Sequence, residues 1–205
     1  FQIFDPDRLV ADKKQIFSYD VLKNRETGET ETIEEPLYDI LSRRCLSENQ
    51  WIEIKKFCDD LDIAFFSTVG FDEDVKLLEK IGCQSIKIAS ADVNHFPLLR
   101  IAAKTGMCLQ LDTGMASLGE IERAVDIIKS EGNNNIIIHQ CPSGYPARLE
   151  SVNLKIIKTL KKIFSFPIAF SDHSPGNEMD IAAIAMGANM IEKTVFSKFS
   201  FYNMK

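Results

Sequence analysis

From Ser47 onward, apolar residues along the chain alternate between two spacings. Trp51, Ile52, Ile54, Phe57 and Leu61 form a helical stripe. It starts behind Ser47-Glu48-Asn49-Gln50, a capping-box pattern that satisfies the free N–H groups of a first turn. Residues 63–68 then run apolar into Ser67-Thr68, as a buried strand does. The same pair of patterns repeats. Helical stripes are predicted over 72–81, 96–104, 118–130, 151–164 and the segment ending at Ala185, and Ser117-Leu118-Gly119-Glu120 opens one of them with a second capping box. Short β-rich runs are predicted at 85–90, 107–111, 135–140, 167–170 and 189–195.

Strands separated by helices at roughly 25-residue intervals imply right-handed βαβ units and a parallel sheet. With the opening run Gln2-Ile3-Phe4, seven strands are expected, one short of a closed (β/α)8 barrel of the TIM type. No glycine-rich turn of the kind that cradles phosphates in an open doubly wound sheet is present, so the barrel is the preferred α/β class. The expectation is one catalytic domain over 1–205, a fragment whose first barrel strand lies outside the sequence. Residues 5–35 break the rhythm. They are polar and lack sustained periodicity, and are read as a long insertion, either a substrate lid or a mobile surface loop.

Composition narrows the function. A hydrophobic share of 45% supports one sizeable core, and 26% charged residues is an ordinary globular value. The formal charge of −6 argues against a nucleic-acid or anionic-membrane partner, and no apolar run is long enough to span a bilayer. Cys45, Cys58, Cys83, Cys108 and Cys141 lie far apart with no CxxC pair, which fits reduced thiols in a cytoplasmic protein.

A parallel barrel gathers its chemistry at the C-terminal strand ends. Here those ends read Ser67-Thr68, Lys87 through Asp92, Asp112-Thr113-Gly114, Gln140-Cys141-Pro142-Ser143, Ser171-Asp172-His173-Ser174 and Glu192-Lys193-Thr194. Hydroxyls with lysines suit a phosphate or carboxylate, because charge-assisted hydrogen bonds are short and strong. Lys87 lies between Ile86 and Ile88 and points either into the site or outward through the helix layer; Lys193 either binds a ligand or pairs with Glu192. His173 is a candidate metal ligand or acid–base group, or a structural hydrogen-bonded histidine. His139 is assigned to the opposite face of its strand, for packing, and His95 to a helix cap or the surface.

These strand ends resemble the sialic acid synthase family, which includes the legionaminic, pseudaminic and spore-coat polysaccharide synthases. The matching text is Phe66-Ser67-Thr68, Lys87-Ile88-Ala89-Ser90-Ala91-Asp92, Lys104-Thr105-Gly106, Asp112-Thr113-Gly114-Met115-Ala116, Cys141-Pro142-Ser143-Gly144-Tyr145-Pro146, Ser171-Asp172-His173 and Ile191-Glu192-Lys193. The resemblance implies condensation of phosphoenolpyruvate with an N-acetylated amino sugar to a nine-carbon 2-keto acid and phosphate, as in bacterial carbohydrate biosynthesis. It implies that Thr68, Lys87, Ser90 and Ser171 hold phosphoenolpyruvate, with Asp112, Thr113, Ser143 and Lys193 nearby. Gln2, Asp92 and Tyr145 would contact the sugar, and His173 would ligate a divalent metal, Mn2+ or Mg2+, that polarises the sugar aldehyde. Lys87, Asp92 and His173 are the catalytic candidates. The resemblance further implies a homodimer formed through a C-terminal antifreeze-like domain that this sequence does not include. Three positions depart from the family pattern: Thr194 where a second metal histidine is usual, Asp112 where a serine is usual, and Ser143 where Asn or Asp is usual. These departures keep two other readings open: a degenerate barrel that binds a sugar or partner chain, and a class I aldolase using Lys87 or Lys193 as a Schiff base.

Overall fold

A computed structural model describes residues 1–24, 27–144 and 147–194. After Gln2, which forms a single parallel bridge to Thr68, come a short helix α1 (Pro6–Leu9), an antiparallel hairpin of β1 (Ile16–Leu22) and β2 (Thr30–Pro36), and α2 (Leu37–Ser42). The repeating part follows: α3 (Glu48–Asp60), β3 (Ser67–Val69), α4 (Asp72–Lys80), β4 (Ser85–Ile88), α5 (Phe96–Lys104), β5 (Cys108–Asp112), α6 (Leu118–Ser130), β6 (Ile136–Gln140), α7 (Lys155–Ile163), β7 (Ile168–Asp172), α8 (Glu178–Ala185) and β8 (Met190–Lys193). Strands β3 to β8 form one parallel sheet in sequence order. Among the described residues this is a six-stranded α/β half-barrel, and the expected strand at Gln2–Phe4 is reduced to the one bridge.

The sheet must curl. Neighbouring strands lie about 4.8 Å apart, so β4 and β8, four steps apart, would be about 19 Å apart in a flat sheet. Yet Lys87 of β4 reaches Glu192 of β8 at 2.5 Å, which no lysine and glutamate can do across a flat sheet.

Pairing register decides which side chains face inward. Paired residues on parallel strands share a face, and residues two apart on a strand do too. Thr68 pairs with Lys87, Lys87 with Gln110, Asp112 with His139, His139 with Ala169, and Ser171 with Glu192. One face therefore carries Thr68, Lys87, Gln110, Asp112, His139, Ser171 and Glu192. The other carries Ile86, Ile88, Leu109, Leu111, Ile138, Ile168 and Phe170, all fully buried in the core with Leu78, Leu98, Leu99, Ile128 and Ile157 of the helices. Through the middle of the strands aliphatic side chains face the helix layer, and the polar residues from Thr68 to Glu192 named above face the concave interior.

Both capping boxes form: the Ser47 and Ser117 hydroxyls accept from the backbone N–H groups of Gln50 and Glu120, and those side chains accept from the serine N–H groups in return. The polar segment 5–35 is not an irregular loop but contains α1 and most of the hairpin, which is tied to α2 by Arg43 bidentate on Glu35 at 2.7 Å. The apolar run 63–68 enters the ladder only at its end. Asp62 adopts a left-handed φ of 55° and Ile63 bonds back to Cys58, so the chain is still leaving α3 there.

Candidate active site on the concave face

Lys87 is the centre of the concave face. Its ammonium lies 2.9 Å from Asp112 Oδ2 and 2.5 Å from Glu192 Oε1, with only 7% of the side chain exposed. Burial alone would lower its pKa, but the two carboxylates outweigh burial and hold it above the ordinary lysine value. Burial pushes the Asp112 carboxyl up to about 6, against the opposing pull of Lys87. The lysine is thus a fixed cation, and the outward, snorkelling alternative does not apply.

His139 joins this group. It is fully buried on the concave face, not on the packing face expected from simple alternation counted back from Gln140. Burial, reinforced by the Lys87 charge, lowers its pKa to about 4, so the imidazole is neutral near pH 7. A hydrogen-bond relay assigns its tautomer. Ser85 Oγ donates to Cys108 O at 3.0 Å, and Gln110 Nε2 donates to Ser85 Oγ at 2.7 Å. That leaves Gln110 Oε1, 3.1 Å from His139 Nε2, as an acceptor, so Nε2 carries the proton and Nδ1 the lone pair.

That lone pair points at two others. His139 Nδ1 lies 3.6 Å from both Asp112 Oδ1 and Glu192 Oε2, and among the described residues none of the three atoms has a hydrogen-bond partner. Three buried acceptors converging with no proton between them are mutually repulsive. One nitrogen and two carboxylate oxygens within 4.8 Å of one another are also a donor set for a divalent cation, whose ligand distances are about 2.0–2.2 Å. The residues present fit such an ion, and the neutral, singly oriented imidazole is the form that ligates.

The other expected residues are distributed around this centre. Thr68, in register with Lys87, and the fully buried Ser171, in register with Glu192, share its face. Ser90 and Asp92 sit half-buried in the 3-10 turn Ser90–Asp92 at the end of β4, where burial raises the Asp92 carboxyl. His173 is half-buried at the end of β7; burial lowers its pKa, and the Lys87 charge lowers it further, which places it within electrostatic range of the centre. Gln2 is exposed beside Thr68. Thr113 and Ser143 are committed to the backbone: Thr113 Oγ1 donates to His139 O at 2.8 Å, and Ser143 Oγ to Gly114 O at 3.1 Å. They brace the ends of β5 and β6. Gly114 has no alternative there, because a Cβ would meet Cys141 O at 2.4 Å.

Lys193 is not brought to the centre, and its partner is not Glu192. It points to the helix side, where it pairs with Asp172, donates to Ser174 O at 2.8 Å and lies 3.4 Å from Asp180. Tyr145 lies outside the described residues. His95 caps α5, accepting from Leu98 N–H at 3.3 Å. All five cysteines are free. Sequence reasoning gave none of Glu192, His139 and Gln110 a place in the site: His139 was assigned to packing and Glu192 only to a pair with Lys193; the signal for them was the pairing register, in which each falls on the Lys87 face.

A curled parallel sheet with Lys87, Asp112, His139 and Glu192 gathered on its concave face defines the class: an α/β half-barrel fold. Comparison with known proteins gives the family. Residues 1–199 match the NeuB family, and the chain belongs to it. It is 34% identical over 198 residues to N,N'-diacetyllegionaminic acid synthase of Legionella pneumophila, covering 94% of this chain and 53% of that protein. It is 34% identical over 151 residues to human N-acetylneuraminate-9-phosphate synthase, covering 73% of this chain and 42% of that one. The N-acetylneuraminic acid synthetase of Leptospira borgpetersenii, solved with citrate, superposes with a TM-score of 0.74 at 33% identity, over 83% of this chain and 56% of that one. The chain thus spans about half the length of these relatives. A truncated 3-deoxy-D-arabino-heptulosonate 7-phosphate synthase of Thermotoga maritima shares the fold, with a TM-score of 0.62 at 21% identity.

Proposed function

We propose that the protein condenses phosphoenolpyruvate with an N-acetylated amino sugar to give a nine-carbon 2-keto sugar acid and phosphate. The observation that carries this reading is the concave face itself. A fixed lysine cation stands among Thr68 and Ser171, next to three carboxylate and imidazole atoms arranged for a divalent ion. Closure into an eight-stranded barrel, with one further strand between Gln2 and β8, belongs to the same reading.

In this site Lys87, Thr68, Ser90 and Ser171 bind the phosphate and carboxylate of phosphoenolpyruvate and orient its C3. Gln2, Asp92 and Tyr145 contact the sugar. Asp112, His139 and Glu192 would hold Mn2+ or Mg2+, with His173 at the end of β7 as a further candidate ligand, and the ion would polarise the sugar aldehyde as a Lewis acid. Asp92, its carboxyl raised by burial, is suited to move a proton at the sugar oxygen. A Schiff-base mechanism at Lys87 is disfavoured, since two carboxylates hold its amine protonated and a nucleophilic amine must be neutral.

The test is release of inorganic phosphate from phosphoenolpyruvate by the full-length protein with N-acetylmannosamine or a diacetylated bacillosamine-type sugar, in Mn2+ and in a chelator. Sugar-dependent release in Mn2+ is expected. No release with any N-acetylated amino sugar overturns the reading. So does a lysine adduct trapped by borohydride.

A further inference from the structure

Strand β8 carries no apolar signal for its own register. Met190-Ile191-Glu192-Lys193 puts one apolar and one charged side chain on each face, and all four residues are half-buried. Met190, opposite Ala169, and Glu192, opposite Ser171, face the concavity; Ile191, opposite Phe170, and Lys193, opposite Asp172, face the helix layer. A slip of one residue exchanges the two sets. Apolar burial changes little, since a methionine and an isoleucine trade places. The chemistry changes far more, because Glu192 leaves the Lys87 face and Lys193 enters it.

Charge on the outer face does discriminate. The Asp172 side chain is fully buried, and its two oxygens have separate partners: Oδ1 accepts from Ser174 N–H at 2.8 Å, and Oδ2 takes the Lys193 ammonium. The same ammonium donates to Ser174 O at 2.8 Å and lies 3.4 Å from Asp180 of α8. One cation thus joins the end of β8 to the last residue of β7, to the turn after it and to the helix that connects the two strands. Neither slipped register keeps this. One sets Glu192 opposite Asp172, carboxylate against buried carboxylate; the other sets it opposite Phe170, which is 0% exposed. Both leave Asp172 buried without its cation, which is strongly unfavourable.

We propose that Asp172 and Lys193 are positioning residues: their ion pair on the helix side locks β8 in the register that carries Glu192 to Lys87 and His139. Because Asp172 also holds Ser174 N–H, the same pair tethers the turn on both sides of His173. Both side chains lie on the outer face of the sheet and act through the neighbours that face inward. The consequence for catalysis rests on the functional reading above; the lock itself does not.

The experiment uses the full-length protein, labelled with 15N-histidine and free of metal, and the double variant Asp172→Asn/Lys193→Met. Both charges leave together, so neither is stranded in the interior, and the variant is expected to fold. Asp172→Asn alone leaves Lys193 with Asp180 and Ser174 O, and keeps the test open if the double variant does not fold. Glu192→Ala is the reference, since it removes the carboxylate that lies 3.6 Å from His139 Nδ1. The double variant is expected to displace the His139 nitrogen signals in the direction that Glu192→Ala does, and Asp172→Asn to displace them part of the way. Sugar-dependent phosphate release should fall about tenfold or more in the double variant, as it does when an outer partner of a site residue is lost. Parent-like His139 signals in a folded variant overturn the lock, whatever happens to its stability in urea. Displaced signals with undiminished phosphate release uphold the lock and overturn the place given to Glu192 in the reaction. A parent that releases no phosphate overturns the functional reading, and the histidine signals still decide the lock.

Discussion

At the scale of single residues, the centre depends on Lys87 being where it is. Removing one member of a buried ion pair leaves the other charges unpaired and costs about 3–5 kcal/mol. Lys87→Met, which keeps the length and removes the charge, is therefore expected to lower unfolding stability in urea by roughly that amount in metal-free protein. A loss below about 1 kcal/mol would mean that Asp112 and Glu192 are not buried against it. Acid response gives a second check. His139 has a folded pKa of about 4 against an ordinary 6.5, so the unfolded chain takes the proton first and this group's contribution is lost as pH falls from 6.5 toward 4. Asp112 acts oppositely. Raised to about 6 from 3.8, it takes its proton first in the folded state, so its contribution grows as pH falls from 6 toward 3.8. The two slopes oppose each other in the metal-free parent. Asp112→Asn leaves the histidine slope alone, so its unfolding free energy should fall more steeply between pH 7 and pH 4 than the parent's; parallel curves would contradict the raised Asp112 value.

At the scale of elements, helices and strands of the repeat were legible because their periods differ and because capping boxes mark two of the helix starts. Ser117→Ala removes the hydroxyl that accepts from Glu120 N–H and donates to the Glu120 carboxylate, and should cost about 1 kcal/mol by thermal or urea unfolding. A change indistinguishable from zero would show that the box contributes nothing to α6. The hairpin β1–β2 was not legible. Its second strand, Thr-Glu-Thr-Ile-Glu-Glu-Pro, is exposed at its first three positions and buries none of its residues fully, so no apolar alternation records it in the sequence. Its order comes instead from cross-strand pairs such as Thr32 with Asp20 and Tyr19 with Glu35, at 2.7 Å and 2.6 Å. Register is the other feature that period alone leaves open. A strand such as Ile-Ile-Ile-His-Gln has the same composition whichever face is inward, and only pairing with β5 and β7 settles where His139 points.

At the scale of the molecule, the parallel α/β class and the strand-end location of the polar residues followed from the sequence, since both are consequences of βαβ order. Which of those residues meet did not follow. Lys87 and Glu192 are 105 positions apart and are joined only by the curl of the sheet, whereas Lys193, adjacent to Glu192, is turned to the other side by the pleat. Among the described residues no helix is long and apolar enough to cross a membrane, and the polar concavity is where the chain concentrates its chemistry. The relay that ends at His139 begins at the opposite end of the sheet. Ser85 is the first residue of β4, and it also lines a cleft of about 320 Å³ together with Gln84, Phe66 and Lys55, below the strands. Its hydroxyl fixes which end of the Gln110 amide faces the imidazole. Without that hydroxyl the amide is free to turn and offer its NH2 to Nε2, which would move the ring proton to Nδ1 and close the ring's lone pair to a cation. Ser85→Ala is thus expected to change the His139 nitrogen shifts in metal-free protein from the Nε2–H to the Nδ1–H pattern, with an unchanged pattern counting against the relay. In that sense the sheet works as a wire between its two ends: a hydroxyl on the floor writes the ligand state of a histidine at the mouth.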